Sequence, residues 1–268
     1  MSIKAKKIIF AVGRSGNDFF KNWCLNNSIK LFCRNVDIGV RVELPNNIWK
    51  ELTDIIYDPK ISYKSSHYQD ETRMFCFNVG GEVIIENSNN GLTVNGHAYS
   101  KTKTNNSNFA LLSSIKLSDP FNDPIEYVKN IVKNANLLSN NNVIIQKFDD
   151  LIQGKRSTKE KINSSKISPT LPSAYPGDLS LCMPKRYLDN IIETIFKLDE
   201  IAPGTAGKET FLYGIEAKYY SLYPETKDFM LTDYNDIYVC GDGCGITRSL
   251  AQAGANGLCL ADIISNNF

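Results

Sequence analysis

The chain has 268 residues, 42% of them hydrophobic and 10% aromatic, so it can bury the core of one large domain or of two moderate ones. Thirty basic side chains against 29 acidic ones leave a net charge of +1 without a long basic stripe, which argues against a nucleic-acid-binding protein. The sequence lacks a signal peptide and an apolar run of about 20 residues, and its seven cysteines are scattered, so we expect a cytoplasmic protein without membrane contact.

The N-terminal segment predicts a strand followed by a helix. Residues Lys7–Val12 read as a buried strand that ends at Gly13-Arg14-Ser15-Gly16, and the pattern of Asn17–Asn26 is helical. A buried strand needs neighbours on both sides, which is a first indication that the fold requires further elements.

Residues 34 to 118 are β-rich. The pairs Gly80-Gly81 and Asn95-Gly96 suit two-residue hairpin turns, and an antiparallel sheet or small barrel is expected. The predicted strands are Val36–Val42, Arg73–Val79, Glu82–Glu86, Leu92–Val94, His97–Tyr99 and Phe109–Leu117.

The remainder alternates helices and strands. Asp123 as N-cap before Pro124 predicts a helix to about Leu138. Residues 154–168 read as an exposed connection, and Tyr187–Asp199 as an amphipathic helix. The last segment predicts strands Phe211–Tyr220 and Asp236–Cys240, then a helix, Ile246–Ile264, rich in small residues.

The most informative stretch is the run from the last strand through Gly241-Asp242-Gly243 into that helix. Glycines allow a ligand close to the backbone, the start of a helix favours anionic groups, and a carboxylate there can accept hydrogen bonds from ligand hydroxyls. These features predict a nucleotide or cofactor site. The alternative is an ordinary tight turn before a core helix.

This stretch resembles the second FAD-binding motif of the glutathione-reductase-like flavoproteins. The resemblance implies that Asp242 contacts the ribityl chain of FAD. The segment Ile8–Arg14 resembles the internal strand at which that family's chain leaves the FAD domain. The cofactor-binding residues that these resemblances imply are Gly13, Arg14, Gly241, Asp242, Gly243, Gly245, Ile246, Thr247 and Arg248.

The longer run from Gly241 to Ala253 resembles bacterial FAD-dependent dehydrogenases, which belong with the NAD(P)/FAD-dependent oxidoreductases. Segments such as Val36–Val42 and Pro176–Leu181 extend this likeness over the whole chain. It implies an α/β FAD/NAD(P)-binding domain formed by residues 1–34 and 210–268. Residues 35–209 would be an inserted substrate or cap domain of mixed strands and helices. The implied function is FAD-dependent oxidation or reduction of an unidentified small substrate.

One departure from that family is clear. The sequence contains no Gly-x-Gly-x-x-Gly motif to hold the FAD pyrophosphate. We therefore expect a C-terminal portion that lacks the N-terminal half of the FAD domain: a truncated product, one piece of a split protein or an artificially shortened chain. Two alternatives remain: a non-catalytic chain that needs a separate N-terminal partner, and a nucleotide-binding protein without redox chemistry.

Other residues are weaker candidates. Cys240 and Cys244 could form a redox pair but are expected to be ordinary buried thiols, and His97 is expected to be exposed at a hairpin tip. Arg248, one turn into the last helix, could stabilise anionic flavin or form a salt bridge. No metal site is expected, and no catalytic residue is identified. Four side chains could line a substrate cavity: Arg41, Arg73, Asp178 and Arg186.

Overall fold

The structure, a computed structural model, describes residues 4–33, 35–88, 91–117, 124–218 and 221–266. Its strands are β1 Ile8–Phe10, β2 Leu31–Phe32, β3 Val36–Pro45, β4 Ile61–Lys64, β5 Glu71–Asn78, β6 Glu82–Ser88, β7 Gly91–His97, β8 Asn106–Ile115, β9 Ile144–Lys147, β10 Tyr175–Pro176, β11 Phe211–Lys218, β12 Tyr223–Pro224, β13 Thr226–Lys227, β14 Met230–Leu231 and β15 Ile237–Val239. Its helices are α1 Asn17–Asn26, α2 Lys50–Thr53, α3 Pro124–Leu138, α4 Phe148–Ile152, α5 Lys159–Asn163, α6 Lys185–Ile201 and α7 Leu250–Asn266.

The chain divides into two compact units, each of mixed strands and helices. The larger unit comprises Val36–Lys116 and Glu126–Lys218. The smaller unit comprises Met1–Asn35, Leu117–Ile125 and Tyr219–Phe268. Strand β11 pairs with β3 and β9 and therefore belongs to the larger unit. The sequence pattern had instead predicted it as part of the last segment.

A seven-stranded sheet forms the centre of the larger unit, in the order β10-β9-β11-β3-β8-β5-β4. Strand β3 pairs along its whole length with β8, and its residues from Val36 to Leu44 are all buried. Helix α6 covers one face, where Asn190 donates to the Ser113 hydroxyl over 2.9 Å. Ile38 of β3 pairs with Ser113 and therefore lies on the same face of the sheet. Val40 lies on that face too, because side chains two residues apart in a strand point the same way.

The opposite face of the sheet is covered in part by the hairpin of β6 and β7. Phe211 and Tyr213 pack there against Val83 and Val94 of the hairpin. Polar side chains share this face, and Glu43 is satisfied by hydrogen bonds from Tyr213, Asn106 and Thr170. Both faces are thus covered, which explains why β3 is buried throughout although it pairs in an antiparallel sheet.

The two predicted hairpin turns are wrong in different ways. Asn95 and Gly96 lie inside β7, where they pair with Ile84 and Val83. The connection between β6 and β7 instead falls between Ser88 and Gly91, and residues 89–90 lie outside the described part. Gly80-Gly81 does separate two strands, but β5 pairs with β4 and β8 and not with β6. A two-residue signal reports local backbone preference and not which strands pair.

The predicted helices are recovered with altered bounds. Helix α1 has the expected residues, α3 begins at Pro124, and α6 extends the expected helix by two residues at each end. The expected N-cap, Asp123, lies outside the described residues. The expected exposed connection at 154–168 is wrong in part, because it contains α5, whose Ile162 packs in the core.

The smaller unit contains a four-stranded sheet in the order β1-β15-β14-β13, with β1 parallel to β15. Phe20 and Cys24 of α1 pack against Val239 and Cys244. The predicted strand is present at β1, but it is not buried, since Ile8 is 45% and Ile9 49% exposed. The reason is its position at the edge of the sheet, where β15 is its only hydrogen-bonded neighbour among the described strands. In the described part of the chain, no helix is long and apolar enough to cross a bilayer.

Candidate functional site: a glycine turn on two carbonyls

The glycine turn follows β15 directly. Gly241 has a φ of +80° and Gly245 a φ of +74°, and a short 3-10 turn, Asp242–Cys244, lies between them. Both glycines occupy the left-handed region that side chains disfavour, so this backbone path depends on them. The Gly241 N–H donates to Asn256 Oδ1 of α7 over 2.9 Å, which fixes the turn to the last helix.

Gly243 sits directly on the segment that follows β1. A Cβ at this position would lie 2.2 Å from the Val12 carbonyl oxygen and 2.3 Å from that of Gly13. The Gly243 N–H donates to the Val12 oxygen over 3.1 Å, and Asn17 Nδ2 donates to the Gly243 carbonyl over 2.9 Å. The structure therefore brings together two groups of candidate residues, Gly13 and the Gly241–Gly245 turn, that are more than 200 residues apart in sequence. Arg14 begins the 3-10 turn Arg14–Gly16, and its side chain lies outside the described part.

Asp242 is the only ionisable side chain of the turn from Gly241 to Gly245 apart from the Cys244 thiol. It is partly buried, and its Oδ1 accepts a hydrogen bond from the Thr247 hydroxyl over 2.5 Å. A carboxylate has about four lone-pair positions and can therefore accept several hydrogen bonds at once. Thr247 therefore acts on the orientation of Asp242, while Ile246 is half-buried against the core near Phe20.

The helix after the turn begins later than the sequence pattern suggests. Helix α7 starts at Leu250, and not at Ile246, because Ser249 and Gln252 form a capping arrangement. The Gln252 N–H donates to Ser249 Oγ over 3.3 Å, and the Arg248 N–H donates to Gln252 Oε1 over 3.0 Å. Arg248 therefore lies before the helix and not one turn into it, and its side chain is exposed.

Cys240 and Cys244 flank the turn as free, buried thiols. Burial raises the pKa of both thiols, in the case of Cys244 to about 12. The Cys244 thiol also lies 3.3 Å from the Phe10 carbonyl oxygen, toward which it donates. Both cysteines are consequently protonated at neutral pH, in keeping with ordinary buried thiols.

The four residues proposed to line a substrate cavity do not form one group. Arg41 is fully buried, and Arg73 forms an ion pair with Asp37 on the same face of the sheet. Arg186 instead forms two hydrogen bonds of 2.6 Å to Asp70 on the side of α6. Asp178 accepts from the Ser180 N–H and caps a short turn.

His97, the last residue of β7, is exposed and packs edge-on against the Tyr99 ring. It ends a strand and does not occupy a hairpin tip. Within the described ranges, no three His, Cys, Asp or Glu side chains are grouped so that they could hold a metal ion.

Sequence reasoning missed three polar residues that shape these regions. Asn17 and Asn256 hold the glycine turn from two helices, although each is an isolated asparagine in an asparagine-rich chain. Glu216 is buried in the middle of β11. An acid within the apolar run of Phe211–Lys218 was a usable signal, because carboxylates are rarely fully buried without a reason.

The turn has part of what a FAD site requires. It offers a partly exposed carboxylate beside Gly241, where a Cβ would meet nothing within 4 Å, and this suits a ribityl chain with its hydroxyl groups. Of the first N–H groups of α7, that of Gln252 is engaged by the Ser249 hydroxyl. These features fit the ribityl end of FAD, whereas the Gly-x-Gly-x-x-Gly motif that would hold its pyrophosphate is absent from the sequence.

Comparison with known proteins agrees with a flavin-related family. A family model described as "FAD-dependent protein, C-terminal domain-like" matches residues 35–219, which include the larger unit and exclude the glycine turn. No curated protein matches the chain closely enough to count as a relative. Because the match spans more than half of the 268 residues, the chain belongs to the family of FAD-dependent proteins with this C-terminal domain.

Proposed function

We propose that this chain contributes the ribityl-binding side of the FAD site of an oxidoreductase, a dehydrogenase that acts on an unidentified small substrate. The observation that carries the proposal is the seating of Gly243 on the Val12 and Gly13 carbonyls, which presents Asp242 at the surface of the turn. The family match supports the same cofactor from a different part of the chain.

In this proposal each residue has a limited task. Asp242 accepts hydrogen bonds from ribityl hydroxyls, Thr247 orients its carboxylate, and Gly241 lets the cofactor approach the backbone. Arg248 would pair with an anionic group of the ligand from its exposed position before α7. FAD, when bound, supplies the hydride acceptor of the reaction.

The test is a visible absorption spectrum of the purified chain after gel filtration, with and without saturating FAD. Retained flavin that is lost in Asp242→Ala supports the assignment of Asp242. Asp233→Ala, an exposed acid in a neighbouring turn, is the matched control and should retain flavin. Equal retention of flavin by Asp242→Ala and the unaltered chain would contradict the role of Asp242. Retention of AMP with no retention of riboflavin phosphate would indicate a nucleotide site without redox chemistry.

A second candidate function is that of a subunit that needs a separate N-terminal FAD-binding chain. It is favoured by the edge strand β1, whose Ile8 and Ile9 are about half exposed beside the parallel neighbour β15. Parallel strands are ordinarily covered on both faces, so this edge suits a further parallel strand with its helix. A failure of the isolated chain to retain any flavin at saturating FAD would favour this candidate over independent activity.

A further inference from the structure

The larger unit contains a second group of polar side chains that lies apart from the residues assigned to FAD. Arg41 of β3 and Asn108 of β8 are fully buried, and Glu216 of β11 is 1% exposed. Arg41 is hydrogen-bonded to Asn108 and forms an ion pair with Glu216. The three side chains therefore lie on one side of the sheet, the side covered by the β6–β7 hairpin.

Several atoms of this group have no hydrogen-bond partner among the residues that the structure describes. Both Glu216 carboxylate oxygens, Arg41 Nη1 and Asn108 Nδ2 are buried and unsatisfied. Arg41 Nη1 lies 3.5 Å from Glu216 Oε1, which is close enough for charge attraction but is not a hydrogen bond in this geometry. Glu216 keeps ion pairs at 3.5 Å or more, but a buried carboxylate that accepts no hydrogen bond is costly, so such a grouping suggests a ligand that satisfies it.

The guanidinium of Arg41 is held so that only one nitrogen faces Glu216. Its Nε donates to Asn108 Oδ1 and its Nη2 to the Cys76 carbonyl, each over 2.8 Å. Gly96 of the hairpin packs directly on it, and a Cβ there would lie 1.8 Å from Nη2. Nη1 is thus left as a fixed donor beside the Glu216 carboxylate.

The group lies immediately below the protein surface. Lys218 is 25% exposed, and its Nζ is 3.6 Å from Glu216 Oε1 and 3.8 Å from Glu86 Oε2. Both separations exceed a hydrogen bond, so this long side chain is loosely held above the buried carboxylate. Lys218 is partly exposed and lies beside Glu216, so a route from solvent to the carboxylate would pass this side chain.

The charges define what would fit. Arg41 and Lys218 balance Glu216 and Glu86, so a ligand without net charge is favoured. The unsatisfied acceptors belong to the acid, and the unsatisfied donors belong to Arg41 and Asn108. A molecule that carries a cationic nitrogen next to an oxyanion would satisfy both sets at once.

We infer that Glu216, Arg41 and Asn108 form a binding site for a small zwitterion, in the simplest case an α-amino acid, with Lys218 at its entrance. The ammonium group binds the Glu216 carboxylate, and the ligand carboxylate accepts from Arg41 Nη1 and Asn108 Nδ2. This inference does not depend on the proposed FAD site, because all of its residues belong to the larger unit.

The experiment is a thermal-unfolding screen of the full chain, without FAD, against the common L-amino acids at about 10 mM each, since a ligand of the folded state raises the unfolding midpoint. We expect at least one amino acid to raise the midpoint. Its N-acetylated form lacks the cation for Glu216 and its amide lacks the carboxylate for Arg41, so neither derivative should raise the midpoint comparably.

Glu216→Gln should abolish the shift with the active amino acid, whereas Glu82→Gln on the nearby hairpin should preserve it. The inference is overturned if no amino acid shifts the midpoint, if Glu216→Gln keeps the shift, or if the N-acetylated form works as well as the parent. The two derivatives are tested on the unaltered chain, so the result stands even if Glu216→Gln does not fold.

Discussion

The Thr247 hydroxyl donates a hydrogen bond of 2.5 Å to Asp242 Oδ1, so the carboxylate proposed to bind the ribityl chain is oriented by a neighbour five residues later. An oriented acceptor loses less rotational freedom when a ligand binds. In the proposed site Thr247 thus orients the Asp242 carboxylate, a role that proximity to the flavin alone would not indicate.

Thr247→Val keeps the shape of the side chain and removes this donor. We expect the FAD affinity to fall about fivefold, equivalent to about 1 kcal/mol for one partly exposed hydrogen bond. Titration of flavin fluorescence measures the change. Thr226→Val, on the partly exposed strand β13, serves as the control and should leave the affinity unchanged. An unchanged FAD affinity in Thr247→Val would show that Asp242 does not need this orientation.

Gly243→Ala tests the close approach in the turn. A methyl group placed 2.2 Å from the Val12 carbonyl oxygen must displace backbone, so we expect a loss of more than about 2 kcal/mol in the free energy of unfolding. Gly254→Ala is the matched control, because nothing lies within 4 Å of its would-be Cβ in α7. That change should stabilise the chain by about 0.5–1 kcal/mol. Urea unfolding measures the free energy of unfolding of both variants, and equal values for the two would contradict the close approach at Gly243.

Ser249→Ala tests the capping arrangement that starts α7. Removing the serine hydroxyl leaves the Gln252 N–H without its side-chain acceptor, and we expect a cost of about 1 kcal/mol. Circular dichroism during urea unfolding measures it. Ser265→Ala, near the other end of α7, removes a hydroxyl that only donates to the Asp262 carbonyl and should cost much less. Equal effects of the two variants would contradict the capping role.

Local patterns in the sequence predicted local structure well and long-range structure poorly. The residues of α1 and the path from β15 into a glycine turn follow from hydrophobic spacing and glycine chemistry. The start of α7 was predicted at Ile246, four residues before Leu250, although Ser249 and Gln252 have the spacing of a capping box. That signal was present in the sequence.

Other features depend on partners that no local pattern contains. Asn95-Gly96 has the best hairpin dipeptide, yet Gly96 lies in a strand because its bare backbone packs on the Arg41 guanidinium. Exposure of Ile8 and Ile9 follows from the edge position of β1, which only the strand order reveals. In the same way, the seating of Gly243 on Val12 and Gly13 joins segments from opposite ends of the sequence.

Glu216→Gln should change how stability depends on pH. Burial raises the pKa of the Glu216 carboxyl, an effect that Arg41 and Lys218 oppose and Glu86 reinforces. An acid with a raised pKa in the folded state binds more protons folded than unfolded, so stability falls as pH rises from its ordinary value through the raised one. Glutamine does not titrate, so the free energy of unfolding of Glu216→Gln should fall less with rising pH than that of the unaltered chain. The variant should therefore become the more stable of the two as pH rises. Urea unfolding across pH 4–8 measures it, and parallel curves would contradict the expectation.

The exposed apolar surface of α7 allows a test of the second candidate function. Leu258 is 72% exposed, whereas Leu260, two residues later, is 2% exposed and packs with Tyr238 and Cys240. Leu258→Lys should therefore leave the free energy of unfolding within about 0.5 kcal/mol, while Leu260→Ala should cost about 2–4 kcal/mol. If α7 is a surface for a separate FAD-binding chain, Leu258→Lys should also reduce hydrophobic-dye binding and self-association in sedimentation velocity, since exposed apolar patches mark interaction sites. A monomeric chain that binds no dye before the substitution would remove this support for a separate partner.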